Sequence, residues 1–373
     1  MNSTFSSIIT RTLQVSLLGL LLSACSDGNN NGGDQGAATM PFAELVEQGV
    51  TRYLGLYSPM STTEADGVVN YRFGAGDGPL CLDGSTYTMA TRDAGTEDLM
   101  IFLQGGGACW FGVCSATESA SEGIPALGIL DPGLAANPLA GMSTVYLPYC
   151  DGGLHASDAD RDSDGDGTAD RFHRGLHNLS AALDVAVTTF PAPRRIVLAG
   201  ISGGGYGTIF ALPLVSQLYP GVPIEVLNDS GLGITRPADV DFNSEIVDYW
   251  NIGAFFPDSC PECRPQGAST EFLDWQLQED PTLRLGLLSY SRDFVIGDFF
   301  LGIGGDAFEA VMRETTAELE SRNPGRVRSF IAAGTAHTFL GSDLSLSVEG
   351  VSLSQWVGAM LDDIEGNWTS VSE

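Results

Sequence analysis

Arg195-Ile196-Val197-Leu198-Ala199-Gly200-Ile201-Ser202-Gly203-Gly204-Gly205 is the stretch on which the reading of this chain turns. Its first half is a short apolar run, bounded on both sides, of the kind that forms a fully buried strand. A helical pattern follows, roughly from Tyr206 to Leu218, and Pro220 and Gly221 stop it. A strand, a glycine-rich turn with a central serine and a helix together describe a nucleophile elbow. There the serine sits on a strained turn, and small neighbours let strand and helix pass closely. The pattern Gly-x-Ser-x-Gly is common by chance; the strand before it and the helix after it are what single out Ser202.

Working outward, other apolar runs punctuate the chain at α/β spacing. Leu99-Met100-Ile101-Phe102-Leu103 reads as a strand ending at Gly105-Gly106-Gly107, and residues 144–149 as another ending at Cys150-Asp151-Gly152. Residues 176–189 carry helical apolar spacing. Residues 224–227, 283–289 and 327–332 are further strands, the last leading to Gly334-Thr335-Ala336-His337. Residues 232–282 have weak periodicity and many turn residues, and are expected to form a cap-like insertion. Alternating strands and helices with polar or glycine-rich strand ends predict an α/β fold of the α/β-hydrolase type. Its mostly parallel sheet would be flanked by helices and bear the site at its C-terminal edge.

A serine hydroxyl needs an imidazole to take its proton, and the imidazole needs a carboxylate to orient it. The elbow fold requires the order Ser, acid, His, and His337 is the one histidine C-terminal to Ser202. His155, His173 and His177 precede the serine. The i, i+4 pair His173 and His177 suits a metal, although polar residues at a helix start are the commoner explanation. For the acid, Asp293 follows the 283–289 strand and is preferred on chain position, with Asp298 and Asp229 as rivals. An oxyanion needs backbone N–H donors: Gly203, after the nucleophile, and the bare loop around Gly106 and Gly107.

Five segments now stand in order. They are Phe102-Leu103-Gln104-Gly105-Gly106-Gly107-Ala108-Cys109-Trp110, Tyr149-Cys150-Asp151-Gly152-Gly153, Arg174-Gly175-Leu176-His177-Asn178, the Ser202 elbow and Asn228-Asp229-Ser230-Gly231. Together they resemble the pectin acetylesterase/Notum family of carboxylesterases, from about Cys81 to His337. The resemblance implies Ser-Asp-His catalysis, the acid matching Asp293 and the base His337, with the 229–231 turn as support. It implies release of small acyl groups from a polysaccharide, though relatives also remove longer chains. A tryptophan often follows the family's glycine run; here Ala108 stands there, with Trp110 displaced, so the acyl pocket is expected to differ in shape.

Outside this core, Arg11, an apolar run from Leu13 to Leu22 and Ser23-Ala24-Cys25 read as a secretory signal, too short to span a bilayer stably. The ending resembles a bacterial lipobox, which makes residues 1–24 a lipoprotein signal peptide and Cys25 the lipidated N-terminus. Ser26, not Asp, follows it, which by resemblance to enterobacterial sorting favours the outer membrane over the inner one. If Cys25 is not lipidated, the chain is expected to be periplasmic or secreted. Residues 25–39, rich in Gly, Asn and Asp, read as a flexible tether. Residues 40–373 are then the catalytic domain, and membrane contact is expected only through the lipid.

The net charge of −30 argues against nucleic acid, and it disfavours tight docking on polyanions such as de-esterified pectin. The chain has no lysine; its basic residues are all arginine. Six cysteines remain after Cys25, an even number that suggests three disulfides in an exported chain. Proximity pairs Cys109 with Cys114 and Cys260 with Cys263, leaving Cys81 with Cys150. A DxDxDGxxD run places Asp162, Asp164, Asp166 and Asp170 at spacing suited to a structural calcium, without the glutamate that closes an EF-hand. Catalysis is expected to need no cofactor. The expected substrate is an acylated carbohydrate. The alternatives are an esterase for lipid or polyester chains, or a non-catalytic binding protein on the same fold.

Overall fold

The structure is a computed structural model. It describes residues 40–373 except 75, 77, 237–238, 265–268 and 363–365. The signal segment, the tether and Cys25 lie outside the described residues. Ten strands form one sheet: β1 Ser61–Ala65, β2 Val68–Arg72, β3 Thr88–Arg92, β4 Asp98–Leu103, β5 Ser143–Leu147, β6 Arg195–Ile201, β7 Ile224–Asp229, β8 Arg284–Tyr290, β9 Val327–Ala332 and β10 Val371–Ser372. Their order across the sheet is β1-β2-β3-β5-β4-β6-β7-β8-β9-β10. The pairings β1–β2, β2–β3 and β3–β5 are antiparallel, and all those from β5 to β10 are parallel. The expected α/β-hydrolase-type fold is the one observed.

Composition explains the layering. The central strands β4, β6 and β7 are almost wholly buried, and a parallel strand covered on both faces needs a continuous apolar run rather than alternation. Alternate residues of these strands feed two cores. Leu99, Ile101, Ile196 and Leu198 face one, with Leu176 and Leu179 of α2 (Gly175–Thr189) and Leu212 of α3 (Gly203–Leu218). Met100, Phe102, Val197 and Ala199 face the other, with Trp356 and Met360 of α3's counterpart on that side, α7 (Leu353–Leu361). The polar edge strand Ser61-Thr62-Thr63-Glu64-Ala65 is exposed throughout, which discourages pairing with another chain.

The remaining helices are α1 (Ala43–Glu47), α4 (Val240–Trp250), α5 (Ser269–Glu279) and α6 (Gly305–Arg322). Both α4 and α5 belong to the segment between β7 and β8, where periodicity had been weak. Among the described residues no helix is long and apolar enough to cross a membrane.

One expected boundary shifts. The helix after Ser202 begins at Gly203, three residues earlier than the sequence pattern suggested. Glycine is a poor helix former in isolation, but the first turn here packs directly on the sheet. A Cβ on Gly204 would lie 2.0 Å from the Leu103 carbonyl oxygen, so only glycine lets the helix approach this closely. The three disulfides Cys81–Cys150, Cys109–Cys114 and Cys260–Cys263 are those that proximity had paired.

Candidate active site

Register brings the strand ends together. Gly200 pairs with Leu103 and Asn228, Ile201 with Asp229, and Tyr290 with Ala332. The residues that follow β4, β6, β7, β8 and β9 therefore emerge along one sheet edge. Ser202 comes directly after β6, at φ 55° and ψ −122°, a strained conformation for a non-glycine residue. Its N–H donates to the Asp229 carbonyl at 2.8 Å, and its carbonyl accepts from Tyr206 N–H at 3.1 Å, the first bond of α3.

A small cavity of about 30 Å³ opens beside Ser202. Its walls are Gly107, Ala108, Leu154, Gly203 and Tyr206, with Val295, Ile296, Phe299 and Phe300 from a π-helical segment, Val295–Phe300. Of the expected oxyanion residues, Gly107 and Gly203 line this cavity with the serine. Gly106 does not: its α-carbon faces the Tyr149 ring and its carbonyl accepts from Thr117 N–H at 2.7 Å. Gly107 has φ +84°, and a Cβ there would overlap the Ser115 carbonyl oxygen at 1.8 Å. It opens the hairpin Gly107–Trp110/Val113–Ala116, which the Cys109–Cys114 bridge ties across. Trp250 Nε1–H donates to the Cys109 carbonyl at 2.7 Å and anchors that hairpin to α4. Ala108 lines the cavity, while Trp110 packs edge-on against Phe300 at 5.5 Å.

Of the three carboxylates considered, Asp293 is the one bonded to His337. Its Oδ2 lies 2.7 Å from Nδ1 of the imidazole, and its Oδ1 accepts N–H groups from Val295 at 3.0 Å and Ile296 at 3.1 Å. Asp293 is fully buried. This contact makes Nδ1 the protonated nitrogen and leaves Nε2, which is buried and has no hydrogen-bond partner among the described residues, as an acceptor. Asp298 lies on the π-helical segment and lines a separate surface concavity with Arg292, Asp306 and Thr335. Asp229 is also fully buried, but its carboxylate meets backbone N–H groups beyond His337, not the ring.

The earlier histidines have other tasks. His155 Nε2 lies 2.9 Å from the Gln104 carbonyl, just before the glycine loop, and burial lowers its basicity, so the neutral ring donates there. His173 Nδ1 meets the Asp151 carbonyl at 2.9 Å. His177 sits between Asp158 at 2.8 Å and Tyr57 at 2.7 Å, stacked on Tyr53. The two do not form a metal cluster among the described residues. Both are buried, and they stand at a helix start as expected: His177 is in the first turn of α2 and His173 lies two residues before it.

In the acidic loop, carboxylate oxygens of Asp162, Asp164 and Asp166 lie within 4.8 Å of one another, all exposed. Asp170 stands outside that group and instead accepts from Ser163 N–H at 2.7 Å and Ser163 Oγ–H at 2.6 Å.

Sequence reasoning had not found the cavity walls. Phe299, Phe300 and Tyr206 are apolar or aromatic residues of a kind found throughout the core. The one local hint was the Phe299-Phe300 doublet shortly after Asp293. A larger apolar cavity of about 90 Å³ lies behind that wall, lined among others by Ile234, Phe242, Trp250, Phe256 and Phe272. Leu154, Tyr206 and Phe300 line both spaces, so they stand between them.

No curated protein matches this chain. Residues 72–254 match the model of the pectinacetylesterase family, a stretch that holds Ser202, the glycine loop and Asp229 and stops before Asp293 and His337. On that match, residues 72–254 form a pectinacetylesterase-family domain, which supports the pectin acetylesterase/Notum family of carboxylic ester hydrolases.

Proposed function

We propose that the chain is an exported serine esterase that removes short acyl groups from an O-acylated carbohydrate through an acyl-Ser202 intermediate. The observation that carries this reading is the Asp293–His337 pair, 2.7 Å apart with its carboxylate buried, on the same sheet edge as the Ser202 elbow. In the reaction, Ser202 Oγ attacks the acyl carbon while its proton passes to His337 Nε2. The carbonyl oxygen becomes an oxyanion held by backbone N–H groups of the Gly107 and Gly203 segments. Each such donor is worth about 10²–10³ in kcat. Collapse breaks the ester C–O bond, and His337 returns the proton to the departing sugar hydroxyl. Water then attacks the acyl-serine by the same route in reverse. Asp293 holds the ring in the tautomer that leaves Nε2 free and stabilises the imidazolium.

The small cavity at the serine supports a short acyl group, and the net charge of −30 favours a neutral acylated polymer over a polyanion. The test is hydrolysis of p-nitrophenyl acetate by the wild type and Ser202→Ala, then acetate release from acetylated pectin, xylan and chitin fragments. Full activity in Ser202→Ala would end the proposal. A second reading, hydrolysis of longer acyl esters, is favoured by the apolar space behind Leu154, Tyr206 and Phe300. A series of acyl chain lengths separates the two.

Two accompanying parts of the reading have their own tests. Anchoring at the outer membrane through Cys25 predicts that Cys25→Ser moves the protein from the membrane to the soluble fraction. A structural calcium on the Asp162–Asp166 loop is supported by the grouping of its three carboxylates.

A further inference from the structure

Asp229 ends β7, next to the elbow strand, and its carboxylate is fully buried. Oδ2 accepts two backbone N–H groups, from Phe339 at 2.6 Å and Leu340 at 2.8 Å, the residues two and three beyond His337. The Ser230 hydroxyl donates to Oδ1 at 3.2 Å. The main chain of the same residue accepts the Ser202 N–H at 2.8 Å. One residue thus touches the nucleophile's peptide with its backbone and the base's loop with its side chain.

That loop needs holding. Thr338, immediately after His337, has φ +68°, a left-handed conformation that a β-branched residue avoids. The neighbouring contacts are the Tyr290 ring stacked on Phe339 at 4.2 Å and Ile129 N–H donating to the Leu340 carbonyl at 2.9 Å. Only the Asp229 carboxylate reaches from the elbow to this loop among the described hydrogen bonds.

We propose that Asp229 is a positioning residue, which in its ionised form locks the His337 loop to the Ser202 elbow. The inference rests on the proposed Ser202–His337 chemistry. A carboxylate is the better acceptor for two convergent N–H groups, since charge-assisted bonds are roughly twice as strong as neutral ones. On protonation it gains an O–H that must find its own acceptor in a buried site, and its hold on the loop weakens. Burial raises the pKa of Asp229 to about 6, against the hydrogen bonds from Leu340 and Phe339 and the charge of His337. The titratable groups facing it are His337 from the loop after β9 and Tyr290 from the end of β8, with Asp293 beyond Tyr290. Activity then falls in acid with two protonations, of Asp229 and of the base, not one.

Asp229→Asn, Asp229→Ala and Ser202→Ala are compared with the wild type by kcat and KM on p-nitrophenyl acetate across acid and neutral pH, and by Tm. Asn keeps one acceptor oxygen without the charge. It is expected to fold, to lose about 10- to 100-fold in kcat, to keep KM within about twofold, and to show an acid limb less steep by one proton. Asp229→Ala loses more. If Asp229→Asn keeps kcat within about twofold and the wild-type limb, while Asp229→Ala lowers only Tm, Asp229 is plain core support and the proposal is wrong. Activity retained in Ser202→Ala overturns the underlying chemistry instead, and that result is distinct from the first.

Discussion

Replacing Phe300 with alanine should convert an esterase for short acyl groups into one that accepts longer chains. The space beside Ser202 is about 30 Å³ and the space behind Phe300, Tyr206 and Leu154 about 90 Å³. At roughly 10–15 Å³ for each water-sized group, the first holds about two or three heavy atoms and the second about six more. An acetyl group, with three heavy atoms, fills the first. An octanoyl chain needs both. Each further methylene that becomes buried contributes about 0.8 kcal/mol, close to fourfold in kcat/KM. Four methylenes beyond butanoyl therefore set an upper bound of about 200-fold in the relative preference for octanoate. Phe300 is only partly buried and its backbone carbonyl keeps the bond from Arg236 Nη2–H, so truncation should leave the segment folded. The assay is kcat/KM for p-nitrophenyl esters from acetate to decanoate, with Tm as a folding control. The wild type is expected to decline beyond short chains, and Phe300→Ala to raise the octanoate-to-acetate ratio by at least tenfold. A folded Phe300→Ala with an unchanged ratio would refute the wall, and so would a wild type that already prefers octanoate.

Asp293→Asn keeps the shape of the pair but removes the acceptor that sets the His337 tautomer, so kcat on p-nitrophenyl acetate should drop by about 10⁴ with an unchanged fold; a loss under tenfold would point to another acid. The raised pKa of Asp229 makes the folded chain hold a proton that the unfolded chain has lost, between pH 3.8 and about 6. The stabilisation this gives is present below that window and lost as pH rises through about 6, so the buried charge costs about 3 kcal/mol at neutral pH. Urea unfolding should therefore find Asp229→Asn as stable as the wild type or more so at pH about 7, an advantage that shrinks in acid; a variant far less stable at neutral pH contradicts this. Cys81 and Cys150 close a loop with a sequence separation of 69, and loop entropy assigns that bridge about 4 kcal/mol. Cys81→Ala/Cys150→Ala should lower urea stability by an amount of that order, and a loss under about 1 kcal/mol would show that the unfolded chain is already constrained there. Chelator should lower Tm, and added calcium restore it, if the Asp162–Asp166 loop holds the ion; a Tm that neither changes leaves that loop a solvated acidic surface.

Much of the fold was legible because its signals are local. Buried parallel strands need unbroken apolar runs, and β4, β6, β8 and β9 announce themselves that way. Chain order singled out His337, and cysteine spacing anticipated the three bridges. The start of α3 was misread because glycine propensity in isolation says nothing of the Leu103 carbonyl 2.0 Å from where a Cβ would sit. The walls around Ser202 were illegible for a related reason: Leu154, Ile296 and Phe300 come from distant segments, and an aromatic residue lining a cavity has the same local signature as one filling a core.

The elbow is where the two kinds of information meet. Its strand–glycine–helix pattern is encoded within a few residues, so the sequence alone determined which serine stands on a strained turn. The choice among Asp293, Asp298 and Asp229 was different: chain position preferred Asp293 but left the other two as rivals, since each also stands at or after a strand. Tertiary structure decided which of them meets the imidazole. A hydrogen bond needs two atoms within about 3 Å, and only the parallel register of β7, β8 and β9 brings Asp293 to the ring while turning Asp229 to the backbone beyond it.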